Sequence, residues 1–179
     1  MSRDKSKLKV PFRIKVNELV RICATEGVDI LVYCCVRSCR EQAQLFRKSR
    51  NRQEIEQKAQ SLTDRGFPFL AQILFDVGPQ PGTYGKHVTK AGPGESWHSY
   101  GYAADSVPTL GGKPQWESGT PEWDIYGAVA EHLGLNWAGN WRGFKEMPHI
   151  QFHEISNPLV FFKDPKVIKD ELRNVGEIV

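Results

Sequence analysis

From Val28 to Val36 the chain reads Val-Asp-Ile-Leu-Val-Tyr-Cys-Cys-Val, an apolar stretch interrupted only by Asp29. It is rich in β-branched and aromatic residues and too short for an ordinary helix, so it reads as a buried strand. Helical patterns surround it. Between Ile14 and Thr25 the positions Ile14, Val16, Leu19, Val20, Ile22 and Cys23 follow helical spacing, and Gly27 supplies the stop. Ser38 with Glu41 forms an N-cap signature from which a helix begins into the breaker-poor Gln42–Gln57 region, with its end left open. Pro121 to Leu133 carries apolar residues at helical spacing, with proline near the start and Gly134 past the end. A further apolar segment, Phe67 to Val77, ends in the turn signal Gly78-Pro79-Gln80-Pro81-Gly82. After Pro148, Ile150 and Phe152 alternate with His149, Gln151 and His153, the period of a half-buried strand. The expected fold class is α+β, a small antiparallel sheet flanked by helices.

At 179 residues the chain is expected to form a single domain, 1–179. An apolar share of 40% and a charged share of 25% place it among ordinary soluble chains. Its 24 basic and 21 acidic side chains form a mixed surface rather than a nucleic-acid stripe, despite the net charge of +3. No apolar run is long enough to span a membrane, so no stable membrane insertion is expected. The opening Met1–Lys7 is charged with no apolar core behind it, from which we expect synthesis in the cytoplasm without a signal peptide. The cysteines, Cys23, Cys34, Cys35 and Cys39, are then expected as reduced thiols. Cys35 and Cys39 lack the paired short spacings of a structural zinc site, and Cys23, Cys34 and Cys35 read as packing residues.

The densest polar signal is Ser96-Trp97-His98-Ser99-Tyr100-Gly101-Tyr102-Ala103-Ala104-Asp105, where an imidazole and a carboxylate flank a glycine and small residues. Both are good zinc ligands, and Gly101 permits the backbone to bring them close. A second element, Glu146-Met147-Pro148-His149, adds a third donor and a nearby carboxylate. Pro148 excludes a helix here, hence also the arrangement in which two histidines share one helix face. A catalytic zinc keeps three protein ligands and one water. His98, Asp105 and His149 complete that set, and Glu146 is placed to take the water's proton and pass it to a departing amine, which is amide hydrolysis.

Taken with Arg37-Ser38 and Gln42, Thr89, Ser96-x-His98-x-x-Gly101-x-Ala103-x-Asp105, Trp137-x-Gly139-x-Trp141 and Glu146-x-Pro148-His149, the chain resembles the LAS-type metallopeptidases. The resemblance is to their D-alanyl-D-alanine carboxypeptidase and L-alanyl-D-glutamate endopeptidase branch, which includes phage endolysins. It implies a hedgehog/DD-peptidase-like fold and one Zn2+ on His98, Asp105 and His149. It also implies Glu146 as general base and Arg37 near the scissile carbonyl or a substrate carboxylate. The implied activity is an L-alanyl-D-glutamate endopeptidase of the endolysin kind, whose partner is a peptidoglycan stem peptide, cut by a monomer acting on the cell wall, with phage-mediated release as its route there. Residues 48–90 are expected to be a helical insertion and loop, since the stretch from about Lys48 to His87 exceeds the family's usual link. The open readings for it are a lid, an extra wall or a surface helix pair.

Taken singly these residues read differently. His98 alone would be an ordinary solvated or satisfied histidine, Asp105 a turn residue, Glu146 a surface carboxylate and Arg37 the anchor of a surface acid. Ser96 and Gln42 are expected to orient other site groups, Trp141 to form a cleft wall, and His153 to act as an outer ligand or proton partner. His87 and His132 are assigned no role. A D-alanyl-D-alanine carboxypeptidase or dipeptidase, a non-catalytic zinc-containing wall- or protein-binding module, and a non-haem iron oxygenase are the competing functions.

Overall fold

The structure is a computed structural model describing residues 2–80 and 87–176. In chain order its α-helices are α1 (Val10–Thr25), α2 (Cys39–Phe46), α3 (Arg52–Asp64), α4 (Pro68–Val77), α5 (Pro121–His132), α6 (Pro158–Phe162) and α7 (Pro165–Asn174). The strands are β1 (Asp29–Cys34), β2 (Ala103–Leu110), β3 (Lys113–Pro114), β4 (Asn136–Trp137) and β5 (His149–Gln151). They group into two compact units that interleave along the chain, Met1–Val36 with Gly101–Glu154, and Arg37–Tyr100 with Ile155–Val179.

The first unit holds the whole antiparallel sheet, in the order β1-β2-β5-β4 with β3 beside β2. The α+β expectation is met. Helix α1 starts at Val10, earlier than its apolar spacing suggested, because Pro11 fits the first turn, where its missing N–H is not needed. It buries Phe12, Val16, Leu19 and Cys23. These pack in one cluster with Val107, Trp123, Tyr126 and Ile150, where each fully buried large apolar side chain contributes about 1.5–3 kcal/mol. Strand β2 escaped the sequence reading because it is buried from Ala103 to Pro108, and a strand without a polar face shows no alternation. Strand β5 ends at Gln151 and all three of its residues are buried, so the half-buried alternation expected through His153 does not form.

Trp137 depends on two missing side chains. Its ring lies against Gly127 of α5 and against Gly139, and a Cβ at either position would collide with the indole. Its N–H donates to the Met147 carbonyl at 2.7 Å, joining β4 to the stretch that leads into β5.

The second unit is mainly helical. Ser38 caps α2 as expected, its side chain accepting from the Glu41 amide at 3.0 Å while Glu41 accepts from the Ser38 amide at 3.0 Å. The helix, whose end the sequence left open, stops at Phe46. Ser49 takes a left-handed φ of 63°, and Asn51 with Glu54 forms a second capping box that starts α3. Residues that cap strongly favour a helix start over a helix interior. Helix α4 ends on Gly78, whose positive φ of 61° suits glycine. Pro81 and Gly82 of the expected turn lie outside the described residues. Residues 48–90 thus supply α3 and α4. Helices α6 and α7 were not anticipated, although both open on a capping residue followed by proline, Asn157-Pro158 and Asp164-Pro165.

Gly127→Ala and Gly139→Ala are each expected to lower stability by about 1–3 kcal/mol through overpacking against Trp137. Thermal unfolding followed by circular dichroism measures this, and midpoints unchanged in both variants contradict the wedge.

Candidate metal centre

Within the first unit, β2 and β5 pair so that Asp105 stands directly opposite His149. Side chains at opposed positions share a face, and the Asp105 carboxylate Oδ1 and His149 Nδ1 are 3.1 Å apart. Both residues are buried. Two ligands on one tetrahedral zinc sit roughly 3.3 Å apart, so the pair fits the donor set of one divalent ion. On the other side of β2, Asp105 stands opposite Cys34, brought into register by a bulge between Val32 and Cys34. The Cys34 Sγ lies within 4.8 Å of an Asp105 carboxylate oxygen. Bulges often aim a side chain beside a functional site. This row of Cys34, Asp105 and His149 across three strands was not foreseen, since Cys34 sits in an apolar run and reads as packing. All four cysteines are buried and outside disulfides.

The approach to His149 is fixed by its neighbours. The Pro148 carbonyl accepts the Ser106 amide at 2.9 Å and the Tyr126 hydroxyl at 3.1 Å, which sets where β5 begins. The His149 amide donates to the Glu146 carbonyl at 3.0 Å, and the Glu146 amide donates to the Ala138 carbonyl at 3.3 Å. The negative charge of Glu146 favours the protonated form of His149. Gln151, buried on the same strand, places its Oε1 3.3 Å from His149 Nε2 and donates its amide to the His153 carbonyl. Its contact with His149 was legible in principle, because two positions along a strand returns to the same face. Trp141 lies with its ring centre 5.6 Å from that of His149, its N–H held by Asn136 Oδ1 at 2.8 Å. His153 lies beyond β5 and packs its ring against Tyr102 and Phe152.

The second unit contains the other named residues. His98 is buried in a short 3-10 turn, Trp97–Tyr100, and its carbonyl accepts the Arg37 amide at 3.3 Å. The Arg37 guanidinium donates to Gln42 Oε1 at 2.9 Å, and the Gln42 amide donates to the Ala91 carbonyl at 2.7 Å. Gln42 is fully buried, so these bonds orient it and it orients Arg37. Ser96 accepts the Ser99 amide through its carbonyl at 3.0 Å. Asp105, Trp141, Glu146, His149 and His153 thus belong to one unit, and Arg37, Gln42, Ser96 and His98 to the other.

Residues 89–152 match the model of a family described as D-alanyl-D-alanine carboxypeptidase. The chain is 26% identical over 143 residues to the peptidoglycan L-alanyl-D-glutamate endopeptidase CwlK of Bacillus subtilis (strain 168), an alignment covering 75% of this chain and 67% of that protein. It is 36% identical over 59 residues to the L-alanyl-D-glutamate peptidase of Listeria phage A118, covering 32% of this chain and 21% of the phage protein. The family match takes in His98, Asp105, Glu146 and His149, while Arg37 and Gln42 lie ahead of it.

Burial pushes the His149 imidazolium towards losing its proton. The hydrogen bond and charge of Asp105, then Glu146 and Gln151, outweigh burial and raise its pKa above the ordinary value. Without metal, the protonated pair stabilises the fold below the ordinary histidine pKa of about 6.5, and that contribution is lost as pH rises through the raised value. Metal binding runs the other way, because a ligand imidazole must be neutral. Apparent zinc affinity is therefore expected to hold above the raised His149 pKa and to fall by about tenfold per pH unit below it. Competition with a chelator from about pH 8 to about pH 5 follows this protonation. An affinity independent of pH across that range contradicts His149 as a ligand.

Proposed function

We propose that this chain, a peptidase of the D-alanyl-D-alanine carboxypeptidase family through residues 89–152, is a zinc-dependent hydrolase of peptidoglycan stem peptides that cuts between L-alanine and D-glutamate. One observation carries the reading. The buried Asp105–His149 pair, with Glu146 just ahead of His149, lies inside the matched stretch and offers an oxygen and a nitrogen donor to one ion. The choice of bond follows the two relatives, which are named for that specificity. No helix among the described residues is long and apolar enough to cross a membrane.

In this reading His98, Asp105 and His149 hold the ion. Bound zinc supplies Lewis acidity towards the scissile carbonyl and lowers the pKa of water. Glu146 accepts the proton of the attacking water and returns it to the nitrogen of the departing D-glutamyl residue. The permanently charged Arg37 guanidinium, oriented by Gln42, takes up negative charge on the carbonyl oxygen or holds a substrate carboxylate. Gln151 fixes the His149 ring from its far nitrogen, and removing a neighbour of this kind typically changes metal affinity by about 10–100-fold. Trp141 forms a wall beside His149.

The test is a fragment map of digested peptidoglycan by mass spectrometry, with zinc measured on the same sample. Cleavage at the proposed bond leaves new amino termini on D-glutamate, whereas a carboxypeptidase releases D-alanine and overturns the bond assignment. Glu146→Gln is expected to retain zinc and lose about 10²–10⁴-fold in turnover. A Glu146→Gln enzyme that cuts at the wild-type rate excludes Glu146 as the base. Stoichiometric zinc with no cleavage of any stem peptide would make the chain a binding module.

A further inference from the structure

Glu95 stands shortly before His98 and is only 5% exposed. Its carboxylate receives Lys58 Nζ from α3, the Arg65 guanidinium at 2.8 Å, the Gly92 amide at 3.0 Å and the Asn157 side-chain amide at 3.3 Å. Burial pushes this carboxyl up, but Lys58 and then the other donors outweigh it and hold the carboxyl below its usual range. Four donors around one buried acid make a satisfied cluster, and removing one member leaves charge without compensation.

The cluster is one of several ties on the same stretch of chain. Arg50 donates to the Thr89 carbonyl at 2.8 Å, and Gln42 donates to the Ala91 carbonyl at 2.7 Å. Gly94, at a φ of +73°, lies so close to Leu70 of α4 that a Cβ would come within 2.5 Å of that side chain. The Tyr100 hydroxyl donates to the Gly94 carbonyl at 2.9 Å, and the Trp97 indole donates to the Ile155 carbonyl at 2.6 Å. All of these lie within the second unit. A lid is drawn from weakly tied elements that open at low cost. Helices α3 and α4 are the opposite, since they hold the segment from Thr89 to Tyr100 by buried charge and close packing.

We infer that α3 and α4 form a buttress for the histidine turn, and that Glu95, through Lys58 and Arg65, is a positioning residue that sets the metal affinity of His98. This rests on the reading of His98 as a ligand. It assigns the helical insertion a task in metal binding rather than in covering substrate.

The experiment measures zinc affinity by chelator competition and the visible absorption of the cobalt-substituted protein, on the full chain and on Glu95→Gln, Lys58→Met, Lys58→Arg and His98→Ala. Glu95→Gln is expected to weaken zinc binding about 10–100-fold and to alter the cobalt spectrum while leaving KM for peptidoglycan fragments unchanged. Lys58→Met is expected to weaken binding by a smaller factor, and Lys58→Arg to restore it. A Glu95→Gln protein that unfolds cooperatively with wild-type zinc affinity and cobalt spectrum overturns the buttress. Should Glu95→Gln not fold, Lys58→Met decides, and unchanged affinity there overturns it equally. Loss of affinity in His98→Ala alone leaves the zinc site standing and removes only the buttress. Wild-type affinity in His98→Ala removes the ligand assignment beneath it, and the buttress with it.

Discussion

The register between β2 and β5 decides what the first unit can do. Because Asp105 opposes His149, a carboxylate and an imidazole meet in the buried interior 3.1 Å apart. A slip of one residue would turn every side chain of β5 to the other face of the sheet. Bonds on both sides hold that register. The Pro148 carbonyl is fixed by Ser106 and Tyr126, and β4 pairs Trp137 with Ile150. Trp137 is in turn seated by Gly127 and Gly139 and tied to Met147. A buried pair of this kind is a poor source of stability, since desolvation offsets most of the attraction. In the proposed function, its placement serves the ion it would hold.

The second unit applies a similar logic with different means. Instead of a strand ladder it uses a buried acid, Glu95, and side-chain bonds to backbone carbonyls to fix the stretch that carries His98. Arg37 is positioned by its own amide on the His98 carbonyl and by Gln42, itself bonded to Ala91. The residues that the proposed mechanism needs are thus tied to the backbone, which keeps them in place without loops having to order on binding.

Much of this could be read from the residues. Ser38 with Glu41, Pro121 with Gly134 and the apolar run after Gly27 each carried a local signal strong enough to place α2, α5 and β1, although β1 is mostly half-buried or exposed rather than buried, with only Cys34 fully inside. The candidate residues were legible because imidazole, carboxylate and guanidinium in that pattern carry chemistry that few other patterns do. Other features depended on tertiary contacts. Strand β2 is covered on both faces and leaves no alternation, and the break before α3 turned on Asn51 competing as a cap. Cys34 looked like packing because its place opposite Asp105 comes from a bulge, and Glu95 drew no reading because its partners Lys58 and Arg65 lie far from it in sequence.

The central claim is that the Asp105–His149 pair is a metal anchor rather than an ion pair of the core. Diffraction from zinc-soaked crystals, recorded on either side of the zinc absorption edge, tests it most directly. The account predicts one strong anomalous peak within bonding distance of the Asp105 carboxylate and the His149 ring, about 2.0–2.2 Å from each. A zinc-saturated crystal with its peak elsewhere, and with the direct Asp105–His149 contact intact, would contradict it.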